Sequence, residues 1–140
     1  RSMGIEKSIE EARRWFQTAE SDPKTARVLH ENQRYAHACF HAQQAAEKAV
    51  KSIWYLRAGD PWGHSVQKLL DDLKDFDTEL FSNLKDFVLD GSKLDKYYIP
   101  TRYPNGLPDL IPDTAYFDDD AVTAIGLAEK LIKRVRALFV

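Results

Sequence analysis

The sequence predicts an all-α protein, an up-and-down antiparallel bundle of four to five main helices with a long Pro/Tyr-rich loop before the last helix. Apolar residues recur at helical spacing along most of the chain, and no segment alternates convincingly at period two. The breaks between apolar stripes coincide with Ser21-Asp22-Pro23, Gly59-Asp60-Pro61 and Gly91. A length of 140 residues fits one domain, taken as residues 5–140, with Arg1-Ser2 ahead of Met3 set aside as a cloning scar.

The first helix is read from Ile5, Ile9, Ala12, Phe16 and Ala19, one stripe at i, i+4, i+7, i+11 and i+14. Asp22 and Pro23 are expected to stop or bend it and to open a short successor carrying Ala26 and Leu29. Residues 35–57 carry the strongest helical signal, with Ala38, Ala42, Ala45, Ala46, Ala49, Ile53 and Leu56 forming a narrow stripe. Alanine favours the helix and lets a neighbouring helix approach closely, so this element is expected to be the spine of the bundle. Beyond Gly63, Val66, Leu69, Leu70 and Leu73 share one face, with Ser65 as a candidate cap. A further helix is expected from Thr78-Glu79, with Leu80, Leu84 and Phe87 inward, ending before Gly91. The last helix has Asp118, Asp119 and Asp120 at its start and Lys130, Lys133, Arg134 and Arg136 toward its end, matching the helix dipole. Val122, Ile125, Ile132, Val135 and Phe139 are read as its buried face. Between Gly91 and Phe117, Pro100, Pro104, Pro108 and Pro112 alternate with Tyr97, Tyr98, Tyr103 and Tyr116, a composition that suits an ordered loop lying on the bundle or on a partner.

Composition narrows the function classes. Hydrophobic content of 44% with 30% charged residues excludes wholesale disorder, and no window approaches an unbroken apolar span. No signal peptide is visible, and the single Cys39 supports neither an internal disulfide nor a zinc set, so a cytoplasmic location without membrane contact is expected. The net charge of −2 splits into +3 over residues 1–57, −8 over 58–120 and +3 over 121–140. If the terminal segments pack together, one face is positive and attracts phosphates; the plain alternative is solvated helix faces and dipole matching.

His37 and His41 stand at i, i+4, a spacing that can hold a metal, but no third ligand is indicated, and no metal or other cofactor is assigned. His37, His41, Gln44, Lys48 and Lys51 form a polar stripe beside the alanine face, suited to a phosphate or RNA backbone, or simply to solvent. Arg102 lies between Pro100 and Pro104, with Tyr98 and Tyr103 offering rings for stacking. It suits phosphate or nucleobase contact, and equally a structural tie to an acidic helix. No Gly-rich phosphate loop or G-x-S-x-G is present, and Cys39 sits mid-helix among apolar neighbours, unfavourable for a thiolate.

The run Phe40-His41-Ala42-Gln43-Gln44-Ala45-Ala46-Glu47-Lys48-Ala49-Val50-Lys51 resembles the signature second helix of HEPN domains. Gly63-His64-Ser65-Val66 with Leu69-Leu70 resembles the start of the family's third helix. Leu94-Asp95 through Tyr97-Tyr98-Ile99-Pro100-Thr101-Arg102-Tyr103-Pro104 resembles the loop before its last helix. The resemblance covers nearly the whole chain and identifies a stand-alone prokaryotic HEPN protein. It implies a dimeric helical bundle with a cleft, nucleotide binding, and pairing with a small nucleotidyltransferase domain, often as a toxin–antitoxin couple. Many members are metal-independent ribonucleases in which an Arg, four to six residues and then a His serve the 2′-OH attack.

After Arg102 those positions are Leu107, Pro108 and Asp109, a departure from the family pattern, so binding without competent RNase chemistry is the expected reading. Arg102, Tyr103, Tyr98, Lys48, His41 and His64 are the candidate nucleotide or RNA contacts. An alternative is a ribonuclease that uses His41 or His64, since Arg34…His41 and Arg57…His64 each have six residues between. A third reading is a pure protein-interaction bundle whose helical face docks a partner helix.

Overall fold

In the computed structural model, which describes residues 4–98 and 111–139, the chain is helical and no strand occurs among those residues. Helix α1 (Ile5–Glu31) and α2 (Tyr35–Leu56) form a long hairpin. Its turn is closed by Gln33 N–H donating to the His30 carbonyl and Arg34 N–H to that of Leu29, at 3.0 and 2.8 Å. Gln33 takes the left-handed conformation, φ 60°, as the turn requires. Short helices α3 (Val66–Asp71), α4 (Leu73–Phe76) and α5 (Thr78–Leu84) follow, then a 3₁₀ turn (Lys85–Phe87) and α6 (Val88–Asp95). After α7 (Pro112–Ala115), α8 (Asp118–Ala137) runs back antiparallel to α1 and packs on both long helices.

The three long helices meet through alanine. Ala12, Ala19 and Ala26 of α1, Ala38, Ala42, Ala45, Ala46 and Ala49 of α2, and Ala121, Ala124 and Ala128 of α8 are buried. Small side chains bring the helix axes close, and Ile53, Leu69, Leu70, Leu73, Leu80, Leu84 and Leu94 fill the space beneath the short helices. The spine helix, the Ser65 cap and the dipole-matched last helix are as expected: Lys68 N–H donates to Ser65 Oγ at 3.0 Å. The Phe117 N–H donates to Asp120 Oδ2 at 2.8 Å, closing the start of α8.

Four expectations are corrected. Pro23 does not stop the first helix; α1 continues through it, with Pro23 buried on the stripe between Ala19 and Ala26. Tertiary packing of that stripe outweighs the one backbone bond a proline forfeits. Gly91 does not end a helix but sits inside α6, facing α3, where a Cβ would lie 3.0 Å from the Gln67 nitrogen and from Val66 Cγ1. Glycine is there to let two helices touch. Ile5 (77% exposed) and Val122 (53%) lie outside the core, which Ser8 and Ala12 open on α1 and Ala121 and Ala124 on α8.

The two basic ends do pack side by side, but carboxylates match much of their charge. Arg27 pairs with Glu129 at 2.6 Å and Arg136 with Glu20 at 2.9 Å across the α1–α8 seam, and His30 meets Asp118 at 2.6 Å. Screened, exposed pairs like these contribute little stability, and the seam is an alternating zipper rather than a positive face.

Candidate functional site

One end of the α2 polar face is walled by the loop that follows it. Helix α2 ends in a left-handed Ala58 (φ 58°), and Gly59 N–H donates to the Trp54 carbonyl at 2.8 Å. Gly59 is pressed against the stacked rings of Trp54 and Phe76, and a Cβ there would come within 2.5 Å of the Phe76 ring. Gly63, φ 84°, then turns the chain so that the His64 carbonyl accepts from Gln43 Nε2 at 2.9 Å. Gln43 is fully buried, so this bond pins the loop to the spine helix.

Asp95, at the C-terminal end of α6, holds the next turn. Its carboxylate accepts from Ser65 Oγ at 2.7 Å, Val66 N–H at 2.7 Å and Gln67 N–H at 3.0 Å. The two N–H groups are orphan donors at the start of α3, where a negative charge is favoured. Three residues past Asp95, the Tyr98 ring stacks on the His64 ring, 5.0 Å between centroids and 15° between planes. A single carboxylate therefore fixes the spacing of both aromatic walls.

Under His64 lies Glu47, only 3% exposed. His64 Nδ1 is 3.3 Å from Glu47 Oε1, Lys51 Nζ is 3.1 Å from Oε2, and Gln44 Nε2 donates to Oε1 at 3.3 Å. A buried carboxylate is costly unless its oxygens are matched, and here three donors share them. Lys51 is itself covered by the Trp15 ring at 5.6 Å. The His64 side chain nevertheless remains 59% exposed, so with Nδ1 turned to Glu47 the other ring nitrogen, Nε2, is left for an incoming group.

Phe40 extends the aromatic row. Its ring is 6.2 Å from Tyr98 and 5.5 Å from His41, so His64, Tyr98, Phe40 and His41 form a continuous line of rings. Burial pushes the His41 imidazole below its ordinary value, Lys48 and His37 add to that, and Asp22 opposes it. His41 is thus neutral at neutral pH. Lys48 lies on the α1 side, its ammonium 2.8 Å from Asp22. The structure brings His64, Tyr98 and His41 together through Phe40, with Lys48 beside His41; Arg102 and Tyr103 lie outside the described residues.

Of the two alternative Arg–His spacings, Arg57 and His64 do not converge on common partners. Arg57 is held by Asp77 at 2.8 Å and Glu79 at 3.1 Å, whereas His64 faces Glu47 and Tyr98. Arg34 stands at the cap of α2, about two turns before His41. Cys39 is buried, and burial pushes its thiol up to about 12. Tyr97, also pushed up to about 12 by burial, meets Tyr116 edge to face at 6.0 Å and ties the end of α6 to the approach to α8. Among the described residues no three His, Cys, Asp or Glu side chains group to hold a metal ion. None of the described helices is long and apolar enough to cross a membrane.

Phe40, Gln43, Glu47 and Asp95 were not singled out as site residues by sequence reasoning. The available signal was polar Gln43, Glu47 and Lys51 repeating at i, i+4, i+8 within an alanine-lined helix, where a solvated face has no need to be flanked by core.

A helical hairpin closed by a third long helix, with a ring-lined polar site between the spine helix and the end of α6, defines an α-helical bundle. The HEPN domain family model matches residues 12–138, and the chain belongs to the HEPN family. Solved structures agree. A Thermus thermophilus protein, TT1696, is 39% identical and covers 91% of this chain and 97% of its own, with a TM-score of 0.81. An archaeal HEPN homologue is 30% identical over 93% of this chain and 98% of its own, with a TM-score of 0.75. A HEPN domain protein from Thermotoga maritima is 30% identical over 89% and 96%, with a TM-score of 0.69. None of the curated proteins matches the sequence.

Proposed function

We propose that this HEPN protein binds a nucleotide or RNA through His64 and Tyr98 and does not itself cleave the strand. The observation that carries the reading is an exposed imidazole held from two sides, by the buried Glu47 carboxylate and by the Tyr98 ring. A histidine with only a structural role has no need to be both fixed and open. Fixing it in advance removes ordering entropy from the binding step. A nucleobase stacks on such a row of rings, while Nε2 of His64, opposite the nitrogen that donates to Glu47, accepts from a base-edge N–H. Arg102 and Tyr103 follow Tyr98 by four and five residues in the sequence and supply a phosphate contact and a further ring in this reading. Neutral His41 and Asp22-paired Lys48 form the far end of the row, a poor place for a bare phosphate but a suitable one for a base or ribose.

Homodimerisation and pairing with a small nucleotidyltransferase domain belong to the same proposal and rest on family membership. Light scattering of the protein alone and mixed with such a domain tests them.

For the ligand, titration with adenosine monophosphate and with single-stranded RNA in EDTA is expected to show saturable binding. His64→Ala and Tyr98→Ala each weaken it roughly tenfold, the value of one lost stacking partner. Equal affinity in wild type and both variants overturns the reading. RNA fragments ending in 2′,3′-cyclic phosphate, lost in His64→Ala, replace it with the ribonuclease reading.

A further inference from the structure

Trp62 stands two residues before His64 and is 81% exposed, the most exposed of the large apolar side chains among the described residues. Its loop is not loose. On one side Gly59 is wedged against Trp54 and Phe76, and on the other the His64 carbonyl, Ser65 and Val66 are bonded to Gln43 and Asp95. Between these anchors Pro61 restricts the backbone before Trp62, and Gly63 at φ 84° sets the turn after it. An indole is thus held out into water on a pinned loop, two residues along the chain from the imidazole that the proposed function places against a base.

Tryptophan kept in solvent forfeits the burial its ring would otherwise gain, and an indole face is among the best surfaces for a nucleobase. We infer that Trp62 is a second stacking platform, so the ligand of this site is a single-stranded oligonucleotide of at least two nucleotides rather than a mononucleotide. One base lies on the His64–Tyr98 row and its neighbour on Trp62. The inference rests on the nucleotide-binding reading of the same site and deepens it. Every base has a π-face, so this platform adds affinity with little sequence preference.

The test compares adenosine monophosphate with oligoadenylates of two to six nucleotides, using wild type, Trp62→Ala, Trp62→Phe and His64→Ala. Wild type is expected to bind the dinucleotide distinctly more tightly than the monophosphate. Trp62→Ala removes roughly tenfold of the oligonucleotide affinity and leaves the monophosphate unchanged, and Trp62→Phe restores most of the loss. Circular dichroism checks that the variants fold, which a change at a solvent-facing side chain leaves intact.

Unchanged oligonucleotide affinity in Trp62→Ala, with His64→Ala still impaired, overturns the inference and leaves the binding reading standing. An equal loss for monophosphate and oligonucleotide also overturns it. So does light scattering in which Trp62→Ala turns a dimer into a monomer, since the indole is then a contact between copies. Binding of neither probe by wild type removes the nucleotide reading and the inference together.

Discussion

Replacing Asp95 by alanine removes the carboxylate that accepts from Ser65 Oγ and from the Val66 and Gln67 N–H groups. The Val66 donor lies above a fully buried side chain, whereas Gln67 is exposed and water can replace its lost acceptor. Counting one charge-assisted bond that stays unmatched, two that water partly replaces and the favourable charge at a helix start gives a loss of about 2–4 kcal/mol. For a domain of this size that corresponds to a fall of roughly 6–12 °C in Tm. Asp90→Ala is the control, because its bond to Lys130 at 3.0 Å joins a side chain that is 59% exposed. That pair is worth less than about 1 kcal/mol. Urea unfolding followed by circular dichroism measures both, and amide exchange of Val66 and Gln67 localises the effect. If Asp95→Ala costs no more than Asp90→Ala, or if exchange at α3 is unchanged, Asp95 does not hold the walls of the site as argued.

The two helical glycines give opposite results. Gly91→Ala places a Cβ 3.0 Å from Gln67 N and Val66 Cγ1 and is expected to destabilise by about 1–3 kcal/mol. Gly126→Ala meets nothing within 4 Å in the middle of α8 and is expected to stabilise by about 0.5–1 kcal/mol, both read from urea midpoints. Cys39, with its thiol pushed up to about 12, is expected to resist iodoacetamide at pH 8 in the folded protein and to react fully in urea, followed by mass spectrometry. His41 has a folded pKa below its unfolded value, so the unfolded chain binds more protons. Its contribution is complete above the unfolded value and is lost as pH falls through the folded one. Stability of wild type is therefore expected to fall more steeply than that of His41→Asn as pH drops from 7 to 5; parallel curves contradict the assignment.

The bundle was legible in the sequence because its signals are local. The alanine repeat of α2, the Ser65 cap and the aspartates at the start of α8 each act within a turn or two of helix. Errors arose where a distant contact outweighed a local preference: Pro23 is carried through by burial beside Ala19 and Ala26, and Gly91 marks a helix contact rather than a helix end. His64, Tyr98 and His41 were legible as candidates by residue type and by resemblance. The groups that fix them were not. Glu47 is 17 residues from His64, and Asp95 is 30 from Ser65. No periodicity relates such pairs; only the packing of α3 and α6 on the spine helix brings them together.

The central claim is that the ligand enters at the Glu47-backed imidazole of His64, facing Tyr98. It is tested most directly by following the imidazole resonances of 15N-labelled histidine while a short single-stranded RNA is added. His64 is expected to shift saturably, with a smaller change at His41, and with His30, on the α1–α8 seam, unmoved. The account is contradicted if binding is saturable but His64 is silent while amides shift around the separate cavity of about 440 Å³ lined by Phe87, Lys130, Lys133 and Arg134.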